Sequence, residues 1–236
     1  MPSKLVTVLL LLAVLPAAPT SPKDSVESVR ARMDKAAADF KTMTANVTYI
    51  IHTEVLNENT TQTGTVTMEK VQPGEVRGLL NVLTPESDKS TILFEKRKLQ
   101  KYLPKIKTIQ EWDLDKHGEE LDQFLMIGFG ISGTMLAKKY DMSVVPDTVK
   151  GSEPAPTIRL RLIPKNGEAK EYVKQLELWI PESGDPYPVQ EKISAPSGDY
   201  RLITYTEMKI NSTLAPDALQ LPIPPGVKPK VETPGK

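Results

Sequence analysis

The chain has 236 residues, no cysteine, and 30 basic against 30 acidic residues, a formal net charge of zero. Lacking cysteine, it holds no disulfide framework, zinc–thiolate site, iron–sulfur cluster or cysteine nucleophile, and lacking a basic excess it has no electrostatic footprint of a nucleic-acid binder. Apolar residues at 39% with balanced charge argue for a folded chain, and two histidines, His52 and His117, leave little from which to build a histidine-rich metal site.

At the N-terminus Lys4 precedes an apolar run from Leu5 to Leu15, followed by Pro16, Ala17 and Ala18. A positive start, an apolar stretch and a small-residue zone predict a cleaved signal peptide over residues 1–21. The run is shorter than the roughly 20 residues that span a bilayer. The expectation is an exported, soluble protein. Its domain, over 22–228, is stabilised by its core alone and followed by a Pro-rich tail at 229–236.

Segment 24–43 reads as an amphipathic helix. Asp24 and Glu27 have capping-box spacing, and Val26, Val29, Met33, Ala37 and Phe40 recur at steps of three and four. The period then changes to two. Ala45, Val47, Tyr49, Ile51 and Val55 fall on one face of a strand, with Asn46, Thr48, His52 and Glu54 on the other. Asn57-Glu58-Asn59 turns the chain into a Thr-rich strand at 61–71, and strand-like runs follow at 75–83, 90–94 and 99–103. A run at 105–114 puts Ile106, Thr108 and Trp112 inward, with Lys105, Lys107, Glu111 and Asp113 outward.

Residues 119–140 interrupt the strands with large apolar side chains, among them Phe124, Leu125, Met126, Phe129 and Met135, broken by Gly128, Gly130 and Gly133. The pattern predicts two short helices hinged at the glycines. Strands resume at Ile158–Pro164, with Asn166-Gly167 as a hairpin signal, then at Val173–Ile180, Tyr187–Ile193 and Tyr200–Ile210. The predicted fold class is α+β: an antiparallel sheet, curved or barrel-like, whose concave face about three helices would cover. Met33, Met43, Met126, Met135 and Met142 suit an interior that repacks around a guest, and equally an ordinary methionine-rich core.

This order of elements resembles the periplasmic lipoprotein carriers of Gram-negative bacteria, the LolA-like fold. The resemblance runs from about Val29 to Val227 and rests on several segments. These are Arg32-Met33-Asp34-Lys35 with Phe40 and the strand from Ala45; the stretch 90–114 with Leu99, Tyr102 and Pro104; Phe124–Gly130; the Gly184–Pro188 turn; and the closing Leu221–Val227. The resemblance implies an open half-barrel around an apolar cavity that shields acyl chains of lipoproteins or lipids on their way to the outer membrane. It implies an inner-membrane release complex and an outer-membrane acceptor as partners. Met33 and Phe40 match family residues that face the cavity and lid. Val71 stands where the family has a lid-locking arginine, and Lys70 beside it is expected to point to the opposite face.

The residues expected to line the cavity and lid are therefore Met33, Phe40, Trp112, Phe124, Leu125, Met126, Phe129 and Met135. Lys101, Lys105 and Lys107 form a candidate docking patch, or else the solvated side of a hairpin. No catalytic residue, cofactor or metal is expected, and the protein is read as a monomer without enzymatic activity. A Ser/His/Asp arrangement would need His117, in a charged turn, or His52, on the polar side of a strand. No Walker A loop or dinucleotide fingerprint is present. A second function class is a periplasmic sensor that uses the same fold to detect lipid or misplaced lipoprotein. A sensor would be expected to carry an additional interaction domain, which favours the carrier.

Overall fold

The computed structural model describes residues 25–72, 75–113, 127–145, 156–165 and 167–233. The predicted signal peptide, His117, Phe124, Leu125, Met126 and Asn166 lie outside the described residues.

The period-three-and-four segment forms α1 (Val26–Asp39), with Val29, Met33 and Ala37 buried on one face. Its N-cap is Ser25, whose side chain accepts from the Ser28 amide at 3.1 Å, in place of the predicted Asp24–Glu27 box. Asp24 lies outside the described residues, and the serine one position further along caps the amide three residues on from itself. The chain then enters β1 (Thr42–Thr53), β2 (Glu58–Gln72), β3 (Glu75–Thr84), β4 (Ser90–Glu95), β5 (Lys98–Leu103) and β6 (Thr108–Asp113) as an up-and-down meander. The helix α2 (Gly133–Lys139) leads into β7 (Tyr140–Val145), then β8 (Thr157–Pro164), α3 (Gly167–Tyr172), β9 (Gln175–Pro181), β10 (Gln190–Ser194) and β11 (Tyr200–Ile210). A short β12 (Lys230–Glu232) closes the chain.

All twelve strands form one sheet in the order β12-β6-β5-β4-β3-β2-β1-β11-β10-β9-β8-β7. The two meanders join where β11 returns beside β1. Every pairing is antiparallel except β12 with β6, and β7 and β12 do not pair, so the barrel stays open.

Three expectations are corrected. The run at 105–114 is not one strand: Pro104–Ile106 is a 3-10 turn and Lys107 adopts a left-handed conformation, which leaves Ile106 61% exposed. The β8–β9 connection is α3, not a two-residue hairpin. Within 119–140 the described part holds a turn at 127–130 and α2, after which Tyr140 already starts a strand.

The sheet has two unlike faces. Over β7–β10 the inner face carries Ile158, Leu160, Leu162, Leu176, Leu178 and Ile180, which pack with Val29, Met33, Ile127, Ile131 and Leu136 in one buried cluster. The helices α1 and α2 reach this close contact because Gly133 has no side chain: a Cβ there would lie 2.6 Å from Arg30 Cγ. Asp34 of α1 accepts from the Thr134 amide at 2.8 Å and hydroxyl at 2.7 Å, which fixes the first turn of α2. The outer face over β11, β1, β2 and β3 is a hydroxyl ladder, Thr204–Thr48–Thr63–Thr84, in cross-strand register. Further along the outer face, Leu79 and Leu93 are covered by Leu219 of the C-terminal segment.

Candidate functional site: a half-filled barrel

Strand alternation sends one set of side chains of β1–β5 and β11 to the same inner face that α1 and α2 cover elsewhere. Over these strands the inner face is not filled. A cavity of about 610 Å³ remains, with an apolar wall that includes Val47, Val66, Leu80, Val82, Ile92 and Ile203. Gly64 on β2 belongs to this wall, and a Cβ there would fall 1.8 Å from the Asn81 carbonyl oxygen. The close β2–β3 approach beside the register shift at Thr63/Gly64 therefore requires glycine.

The cavity is polarised along the strands. Its floor includes Val76 and Phe94, which belong to the buried cluster of Val29 and Met33. Met68, with Val66 and Tyr205 beside it, joins the cluster of Phe40, Met43, Phe129 and Tyr187. At the opposite end, where the β3–β4 and β10–β11 turns lie, the wall becomes polar with Gln62, Ser87, Asp88, Lys101 and Arg201. The Asp88 carboxylate accepts from the Gln62 amide at 2.7 Å and from the Ser87 hydroxyl at 2.9 Å, which holds it below the usual carboxylate range.

Between the cavity and the helix-packed half stands a buried acid. Glu191 on β10 is 7% exposed, and burial pushes its carboxyl up to about 8 against the opposing effect of the Tyr205 phenol, its hydrogen-bond partner. The other carboxyl oxygen has no partner among the described residues and faces the backbone at Gly128, where a Cβ would stand 2.9 Å away. Gly128 has φ +83° and also abuts Pro188, so this tight turn brings the 127–131 segment down onto the sheet. There Phe129 stacks on Tyr187 with ring centroids 6.0 Å apart and meets Tyr205 edge-on at 5.2 Å.

The lid helix α1 is tied down at its C-terminal end, where helix carbonyls lack partners. Lys70 donates to Ala37 O at 2.9 Å, Tyr187 to Ala36 O at 3.1 Å, and Asn211 to Asp39 O at 2.9 Å. Val71, where the resemblance expected an arginine, is 54% exposed, while Lys70 next to it, expected to point away from the lid, points at the helix.

The predicted lining residues divide as follows. Met33, Phe40 and Phe129 are buried one layer behind the cavity floor, in the clusters that contain Val76, Phe94 and Met68. Met135 lies 44% exposed on α2. Trp112 is half-buried on β6, opposite the cavity residue Leu99. Of the candidate docking patch, Lys101 lines the cavity, whereas Lys105 and Lys107 sit in the β5–β6 connection. Lys101 and Glu111 fall on opposite faces, because Lys101 pairs with Gln110. The wall residues Val47, Tyr49, Leu80 and Ile203 were not singled out from the sequence. Their alternation marks an inward face without saying whether that face is packed or empty.

His52 stacks on Tyr200 at 4.5 Å and bonds Asn59 and Glu54. Among the described residues no group of three or more histidine, aspartate or glutamate side chains is placed to hold a metal ion. No helix of the described residues is long and apolar enough to cross a membrane.

No family model matches the chain, and comparison with curated proteins finds no match. Among solved structures, the chain is similar to a Vibrio parahaemolyticus domain assigned to outer membrane lipoprotein sorting, at 10% identity and TM-score 0.45, covering 83% of this chain and 94% of that one. A LolA superfamily protein from Nitrosomonas europaea matches at 11% identity and TM-score 0.39, with 80% and 95% covered. The Pseudomonas aeruginosa MucA/MucB complex structure matches at 17% identity and TM-score 0.46, where 83% of this chain spans 60% of the matched chain. The observed architecture is an open curved sheet with helices over part of its inner face.

Proposed function

We propose that this protein is a periplasmic carrier that takes acyl chains of lipoproteins or lipids into the cavity and transfers them toward the outer membrane. The observation that supports this reading is the unfilled apolar space of about 610 Å³ beneath an otherwise well-packed sheet. That volume lies within the roughly 300–1,000 Å³ of small-molecule sites. Protein interiors are close-packed, so a void of this size is kept at a cost in stability that a guest would offset.

Each methylene removed from water contributes about 0.8 kcal/mol, so one chain of roughly sixteen carbons gains about 13 kcal/mol gross. Immobilising the chain and ordering the wall reduce this. The net supports tight but reversible binding, as a carrier requires. The donor would be a release complex at the inner membrane and the acceptor a site at the outer membrane.

The test is purification from the cell envelope followed by mass spectrometry of what co-purifies. Acylated proteins are the expected finding. Free phospholipid alone would point to a lipid shuttle, and a protein free of any acylated molecule would contradict the reading.

A further inference from the structure

Two cations stand in the polar end of the cavity wall, Lys101 on β5 and Arg201 on β11, against one carboxylate, Asp88. Asp88 accepts from Gln62 and Ser87 and also feels the Lys101 charge, so the polar end holds one carboxylate against two cations. Neither cation has an ion-pair partner within 4.0 Å among the described residues, although nine ion pairs are formed elsewhere. The remaining wall is mainly aliphatic and aromatic, with Thr63, Asn81 and Ser90 as its polar members. The cavity is thus built like an amphiphile turned inside out, greasy at depth and net positive at the polar end.

We infer that the ligand is an anionic amphiphile, with a phosphate or carboxylate head held between Lys101 and Arg201 and its hydrocarbon tail on the Val66–Val82 wall. This rests on the acyl-binding reading and narrows it. A neutral head leaves both cations solvated and gains nothing from them. A cationic head meets a net positive wall. An anionic head makes charge-assisted hydrogen bonds that a partly enclosed site strengthens, and arginine adds a planar fork suited to phosphate or carboxylate. The Tyr49 phenol, which also lines the wall and lies near enough to feel the Arg201 charge, offers a further donor to such a head.

The experiment compares heads on one tail. The protein is titrated below the micelle threshold with hexadecanol, hexadecyl phosphate, palmitate and hexadecyltrimethylammonium, each displacing a neutral pyrene-labelled alkane. Inorganic phosphate is titrated alone. The expected result is that the phosphate and palmitate bind about tenfold or more tighter than the alcohol, the worth of one such contact. Raising the salt should shrink that margin. In K101Q/R201Q the margin between phosphate and alcohol should vanish, and in D88N it should widen.

Equal affinity for alcohol and phosphate, or preference for the ammonium head, would overturn the inference and leave the acyl cavity standing. Displacement by inorganic phosphate alone would overturn it too, by showing an anion site independent of the tail. If no long chain displaces the probe, the cavity reading itself fails, and this inference with it.

Discussion

Lys70, on β2, donates its ammonium to the carbonyl of Ala37 in the last turn of α1 at 2.9 Å. A cation at a helix C-terminus meets both an orphan acceptor and the negative end of the helix dipole. Lys70→Met keeps most of the stem and removes the charge. It should lower stability by about 1 kcal/mol and speed amide exchange in α1 more than in β8 or β9. Uniformly unchanged exchange would show that Tyr187 and Asn211 hold the helix unaided.

Glu191 gives the protein a stability that depends on pH in an unusual direction. Its folded value of about 8 lies above the ordinary 4.5, so the folded state binds the extra proton between those limits. Stability from this group is full below about pH 4.5 and is lost progressively as pH rises through 8. The whole effect is on the order of 5 kcal/mol. Urea unfolding at pH 5, 7 and 9 should show the decline. Glu191→Gln, neutral at every pH, should flatten it, and an unaltered slope in that variant would assign the decline to other groups.

Gly64 tolerates no side chain, because a Cβ there would fall 1.8 Å from the Asn81 carbonyl oxygen and backbone must move. Gly64→Ala should cost about 2–3 kcal/mol, in the range of overpacked sites, and Gly64→Val more. Thermal melts check this. An alanine variant as stable as the parent would mean that β2 and β3 are not so close.

The packed and hollow halves of one sheet should respond differently to the same truncation. Leu178 is fully buried under α1 and α2, whereas Leu80 borders the cavity. Leu178→Ala should cost about 3–4 kcal/mol, transfer plus a new void, and Leu80→Ala about 1 kcal/mol, since the void is already there. Equal losses would mean that the second half is filled as tightly as the first.

Buried charge on the outer face supplies another test. Glu177, 1% exposed, pairs with Arg159 at 2.8 Å and Arg161 at 3.4 Å. Glu177→Ala leaves two guanidinium groups without their counterion and should cost about 3–5 kcal/mol, read by denaturant unfolding. A loss under 1 kcal/mol would mean the arginines turn freely to water.

Most of the sheet was legible in the sequence because its strands alternate, as in Ala45–Ile51, although β1 ends at Thr53 and leaves Val55 90% exposed, and a bulge with Glu207 at φ +51° shifts the phase within Tyr200–Ile210. The misreadings have local causes. Ile106 keeps a strand-like alternation with Thr108, but Pro104 starts a tight turn and Lys107 takes a left-handed conformation, so the phase is lost. Asn166-Gly167 has hairpin chemistry, yet Gly167–Tyr172 forms a helical turn instead. For the site, alternation placed Val47 and Tyr49 inward, but emptiness is not a property of one strand. It arises because α1 and α2 cover β7–β10, while the facing strands β1–β5 lack an equivalent cover among the described residues. The pinning of α1 by Lys70, Tyr187 and Asn211 joins residues 33, 151 and 172 positions apart and leaves no short-range trace.

The most direct measurement is a fluorescence titration of a neutral pyrene-labelled sixteen-carbon chain against the parent protein and Val66→Trp, which puts an indole into the cavity. The account predicts saturable binding by the parent. In the variant it predicts at least about tenfold weaker binding, with a melting temperature unchanged or raised because a void has been filled. No saturable binding by the parent, or equal binding by both, would contradict it.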